Sequence, residues 1–218
     1  MKILQLELLT DDINETEWFY TNVIGLRMIC KDRSGIAFAT GTTKLVFKVS
    51  KHVKPIYHFA FNIPKNKLLE AFDWIERNTK VLEVIPPDKI ADFYTWNAKS
   101  FYFYDSNGNV LEFIARFDLD NASDKSFDGT AVLSISEIGF VTKNVFQLCE
   151  ELVEKYELPV FSKQPKMEKF IVLGTDTGLF VLVKENKFWY PTNKKAKPFW
   201  TKVLFEVKGK IREIEISG

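Results

Sequence analysis

The chain has 218 residues, 46% of them hydrophobic and 15% aromatic, enough to fill one large domain or two small ones. Its 30 Lys and Arg stand against 29 Asp and Glu, so no broad basic field points to nucleic acid or an anionic membrane. No stretch approaches the roughly 18 apolar residues of a membrane span. The opening MKILQLELLTDD is broken by acidic residues before a signal-peptide core could form, and Cys30 and Cys149 cannot build a disulfide framework. A cytoplasmic location is the expectation.

In chain order, Leu4 to Leu26 begins with an alternating strand and turns helical after Asp12 or Asn14, either of which can cap the helix. Trp18, Phe19 and Val23 are the expected apolar side, and Gly25 ends the helix. Extended pieces follow at 27–31, 36–39 and 44–49. Tyr57 to Thr79 repeats the form, with Leu68, Leu69, Phe72 and Ile75 at helical spacing, then a strand at 81–85, a long loop through Pro86-Pro87, and a hairpin from Phe101 to Arg116 around Ser106-Asn107-Gly108-Asn109. A polar, turn-rich stretch at 118–130 reads as a linker. Ser134 to Leu158 starts a third unit, with Phe146, Leu148, Leu152 and Val153 on its helix, followed by extended pieces at 158–162, 170–173 and 178–183. The last strand, at 202–207, aligns with 58–63 and opens a fourth unit. Lys194, Lys195 and Lys197 read as a solvated loop, and His52 as an exposed one.

The repeat is β-α-β-β-β, and amphipathic helices imply sheets beneath them. The expected fold is α+β: tandem βαβββ units paired into a curved mixed sheet with a cleft, helices outside. The expected division is 1–117, two units paired around the cleft, and 131–218, a degenerate pair with a packing or substrate-covering role, joined by the linker 118–130.

Alternation puts Leu111, Phe113 and Ala115 on one face of the hairpin's second arm and Val110, Glu112 and Ile114 on the other. A carboxylate buried there must find a cation, a donor or a proton. Gln5 and His58 occupy equivalent repeat positions on the first strands of units one and two, and both face away from the helices, as Glu112 does. These three donors form a candidate open metal site. Tyr102, Tyr104 and Trp96 are candidates for a substrate-binding wall. At the aligned position the third unit has Glu137 and the fourth Lys202, which reads as no ligand set in the second half.

The segment FYFYDSNGNVLEF resembles the aromatic-D-P-x-G-N-x-L-E-F hairpin of the vicinal oxygen chelate superfamily, which includes glyoxalase I, bleomycin-resistance proteins and extradiol dioxygenases. QLELLTDDINETEWFYTNVIGL is similar to that superfamily's opening strand and helix. The resemblance implies Gln5, His58 and Glu112 as metal ligands, Glu112 also as the catalytic carboxylate, and Tyr102 as a substrate contact. Its implied cofactor is a divalent metal (Zn, Ni, Mn, Mg or Fe), or none in a binding protein of the bleomycin-resistance type. Its implied activity is Lewis-acid chemistry on a small oxygen-rich or aromatic metabolite. Val46 replaces a ligand that glyoxalases use. The expected partner is a small molecule, with a homodimer compatible and no nucleic acid or membrane.

Overall fold

The computed structural model describes residues 1–217. Four units follow one another. The first contains β1 (Lys2–Thr10), α1 (Ile13–Trp18) running into a π-helical turn (Phe19–Ile24), β2 (Arg27–Lys31), β3 (Gly35–Thr40) and β4 (Thr43–Val49). The Asp12 carboxylate caps α1 by accepting from the Asn14 and Glu15 amides, and Gly25 closes the turn at φ 88°. Phe19 and Val23 are buried as expected, but Trp18 is 54% exposed, because the π-helical turn changes the rotation per residue and takes it off the apolar stripe.

The second unit has β5 (His58–Ile63), α2 (Leu68–Glu76), β6 (Ala91–Phe93), β7 (Ala98–Tyr104) and β8 (Val110–Arg116). The strand expected at 81–85 is reduced to isolated bridges at Val81 and Ile85, and β6 takes the edge instead. The third has β9 (Ser134–Thr142), α3 (Val145–Tyr156), β10 (Phe170–Thr175) and β11 (Gly178–Lys184); residues 158–162 make only the Val160 to Leu173 bridge. The fourth is a hairpin, β12 (Thr201–Val207) and β13 (Lys210–Ile216), so a further strand follows the one expected.

Two sheets result, and each draws strands from both sides of residues 118–130. The six-stranded sheet runs β13-β12-β1-β4-β3-β2, and the seven-stranded sheet β10-β11-β9-β5-β8-β7-β6. Unit one pairs with unit four through antiparallel β1 and β12. Unit two pairs with unit three through antiparallel β5 and β9. The expected cleft between units one and two is therefore not formed, because the central strands β1 and β5 lie in different sheets. Segment 118–130 is held rather than loose: the Phe127 amide donates to Glu70 Oε2 at 2.9 Å, the Lys65 amide to Asn121 Oδ1 at 3.0 Å, and the Phe127 ring is buried.

One core joins the two sheets and the helices. Leu6 and Leu8 of β1, Phe59 and Phe61 of β5, Leu111 and Phe113 of β8, and Phe19, Ile75 and Leu152 of the helices belong to it. This is the helix-facing side that alternation assigns. On the opposite face of the seven-stranded sheet, Tyr102, Val110, Val181, Val183 and Trp189 form a second apolar cluster, and Trp96, Ala60, Ile114 and Phe161 a third. Gly139 of β9 makes room there: a Cβ at that position would overlap the Trp189 ring.

Candidate metal centre

The far face of the seven-stranded sheet carries a cavity of about 270 Å³, the size of a small-molecule site. His58 of β5, Glu112 of β8 and Glu137 of β9 line it. One ligating atom from each lies within 4.8 Å of the others, and all three residues are buried. The sheet register explains the convergence: Ala60 of β5 pairs with Glu112 on one side and with Glu137 on the other, and His58 stands two residues back on the same face.

His58 Nδ1–H donates to the Val110 carbonyl at 3.0 Å, which leaves the Nε2 lone pair free, 3.6 Å from Glu112 Oε2. Burial pushes the His58 pKa down to about 4, against a small opposing pull from that carbonyl. The ring is therefore a neutral donor at physiological pH. Burial pushes Glu112 up to about 8, helped by the charge of Glu137 and opposed by Ser100, Tyr102 and Arg116. Burial also raises Glu137, while Arg116 pulls it down.

Arg116, the last residue of β8, is fully buried. Its guanidinium pairs with Glu137 Oε1 and donates from Nε to Ser136 Oγ at 3.2 Å. Nη1 has no hydrogen-bond partner; Asp176 Oδ1, at 3.6 Å, is too far. Lys163 joins Asp176 and Asp118 at 2.8 and 2.7 Å, so alternating charges run from the protein surface to Glu137.

Aromatic groups close the cavity. Trp189, on the segment after β11, lies 5.2 Å from the His58 ring and Tyr102 6.2 Å from it. Tyr190 stands edge-on to Tyr102 at 5.5 Å. Burial, then the charge of Glu112, holds the Tyr102 hydroxyl well above the usual phenol range. Trp96 lines the cavity and donates from Nε1 to Gln164 Oε1 at 3.2 Å.

Of the residues read from the sequence, His58, Glu112, Tyr102 and Trp96 meet here. Tyr104 lies farther along β7 outside the lining, with Lys194 over its ring at 5.5 Å. Gln5 is elsewhere: it sits in the six-stranded sheet, and its Nε2 donates to Glu7 Oε1 at 2.7 Å. Glu137 takes the place expected of Gln5, because β9 rather than β1 pairs with β5. The signal for Glu137 was its repeat position, equivalent to His58; for Arg116 it was its place on the same strand face as Glu112. At the position in unit three that matches Glu112, Val181 faces Gly139 across the β9–β11 pair and offers no donor.

The paired βαβββ-type units form a fold shared with solved glyoxalase and dioxygenase structures. The structural comparisons agree. The "putative dioxygenase" from Bacillus subtilis subsp. subtilis str. 168 superposes with a TM-score of 0.63 at 15% identity, over 84% of this chain. The chain spans 63% of that protein's length. Glyoxalase I from Zea mays superposes with a TM-score of 0.58 at 12% identity, over 89% of this chain and 70% of that one, and its V278E mutant with 0.60 at 13%, over 90% and 70%. No protein-family model matches the sequence, and no curated protein does. No helix among the described residues is long and apolar enough to cross a membrane.

Proposed function

We propose that this protein is a divalent-metal-dependent enzyme of glyoxalase or dioxygenase type that acts on a small oxygen-bearing or aromatic metabolite, with His58, Glu112 and Glu137 as its metal ligands. The observation that carries this reading is a buried nitrogen and two buried carboxylates within 4.8 Å of one another on a cavity wall.

The donor set fits a metal on two grounds. The His58 tautomer leaves Nε2 unprotonated, and Glu112, which burial drives towards its neutral form, has a proton to lose to a cation. One nitrogen and two oxygens suit Zn, Mn, Fe, Ni or Mg, and Val181 supplies no fourth side-chain ligand. A metal there would act as a Lewis acid towards substrate oxygens. The chain's own residues do the rest. Arg116 holds the Glu137 carboxylate in place. Glu112, beside the Tyr102 hydroxyl, holds a proton near neutral pH only while the site is metal-free and gives it up when a cation enters. Trp189, Tyr190 and Trp96 keep water from the reacting groups.

A second reading, metal-free binding of a small ligand, draws on the Arg116 to Glu137 ion pair, which already neutralises one carboxylate. Metal content separates the two. Protein purified without chelator is expected to hold about one equivalent of divalent metal, and His58→Ala, Glu112→Ala and Glu137→Ala are each expected to lose it, while Gln5→Ala retains it. Metal-free wild type that fails to take up Zn, Mn, Fe, Ni or Mg on titration would sink the enzyme reading.

A further inference from the structure

We infer that the ligand of this cavity is an aromatic or otherwise apolar molecule bearing a carboxylate, and that Lys187 selects for it. Lys187 lines the same cavity as His58, Glu112 and Glu137, so the inference names the substrate class within the function proposed above.

The side chain projects from a turn held on both sides. Asn186 adopts the left-handed conformation at φ 67°, its amide donates to the Ala196 carbonyl at 2.8 Å, and the Lys187 carbonyl accepts from the Ala196 amide at 2.7 Å. Lys184 pairs with Glu168 at 3.1 Å, and Lys163 with Asp118 and Asp176. Among the described residues Lys187 has no carboxylate within 4.0 Å and is the one cation lining the cavity; its ammonium lies 4.7 Å from the Phe170 ring centroid. Lys187 is exposed at the rim of the cavity, and partial desolvation there lowers its pKa.

The same segment supplies a second donor without a partner. Trp189, which lines the cavity, is 4% exposed and its Nε1–H has no acceptor. A lysine at the exposed rim of the cavity and a buried N–H without an acceptor together favour an anionic acceptor. One positive charge and one N–H match a monoanionic carboxylate; a phosphate, with nearly two charges and three acceptor oxygens, would be left underpaired. The surrounding Phe170, Phe188 and Val183 side chains offer only apolar contact, so the remainder of the ligand is apolar.

The probes are benzoate and naphthoate, each against its neutral amide, titrated calorimetrically into the full-length protein with and without chelator. Chelator-treated wild type is expected to bind the acids about tenfold more tightly than the amides. Lys187→Gln is expected to erase that preference with amide affinity unchanged, and Lys187→Arg to keep it. Equal binding of acid and amide, a preference that survives in Lys187→Gln, or no acid binding at millimolar concentration would overturn the inference. Metal content of the same samples keeps the two proposals apart. A Lys187-dependent preference in a protein that binds no metal would remove the Lewis-acid reading alone. A metal-loaded protein whose preference ignores Lys187 would remove this one alone.

Discussion

The six-stranded and seven-stranded sheets are built from the same repeat, yet only one holds a chemically charged pocket. At matching positions the seven-stranded sheet has His58, Glu112 and Glu137, and the six-stranded sheet has Gln5, Val46 and Lys202. Cover decides the difference. Over the seven-stranded sheet, Trp189 and its neighbours shut out water, so Glu112 and Glu137 are 2% and 3% exposed and burial drives both pKa values up. On the six-stranded sheet, Glu7 pairs with Lys48 at 2.6 Å and Lys202 with Glu213 at 2.8 Å, with Lys48 and Glu213 largely open to solvent. There each charged group has a direct partner that reaches water, even though Glu7 itself is buried.

Four measurements can break or sharpen this contrast. The largest effect is expected from Arg116→Leu, which strips the cation from buried Glu137 and should cost about 3 to 5 kcal/mol in urea unfolding. Next, removing any one of His58, Glu112 or Glu137 should weaken metal binding by about a hundredfold or more, measured by competition with a chromogenic chelator; Gln5→Ala, in the other sheet, should bind like wild type.

The third concerns pH and chelator-treated protein. An acid whose folded pKa is raised makes stability fall as pH rises from its unfolded value through its folded one, here from about 4.5 to about 8 for Glu112. A base whose folded pKa is lowered does the opposite, so His58 makes stability rise between about 4 and 6.5. The two oppose each other below pH 6.5; above it His58 no longer contributes and the fall due to Glu112 remains, with Glu137, also raised by burial, acting in the same direction. Between pH 6.5 and 8 the loss should be roughly 1 to 2 kcal/mol, read from urea midpoints. Glu112→Gln should shrink it by most of that amount and Gln5→Ala should leave it intact. The smallest effect belongs to Lys202→Ala on the open sheet, which should leave the urea midpoint where it was; a clear drop would mean that this face is not the passive partner.

Much of the covered sheet was legible in the sequence. Period-two alternation placed Glu112 opposite Leu111 and Phe113, the hairpin signal placed the turn at Asn107-Gly108, and the repeat aligned His58 with Glu137. Those are local properties of a strand or of one unit, and a strand's pleat determines facing wherever it is packed. The same locality explains the misses. Trp18 and Leu69 carry apolar character but face solvent, because turn geometry and neighbouring packing choose which side of a helix is covered.

What the sequence by itself determined is the unit, its facing, and two of the three site residues. Which unit pairs with which was decided only by the tertiary structure. Every first strand presents a similar edge, and the choice of β9 for β5 and β12 for β1 rests on long-range packing of a shared core. That choice moved Gln5 out of the site, brought Glu137 in, and buried Arg116 beside it. It also put Trp189 and Lys187 over the cluster from a segment more than 120 residues away from His58 in the chain. No strand-level pattern encodes such a contact, because the energy that selects it is the burial of surfaces that meet only after folding.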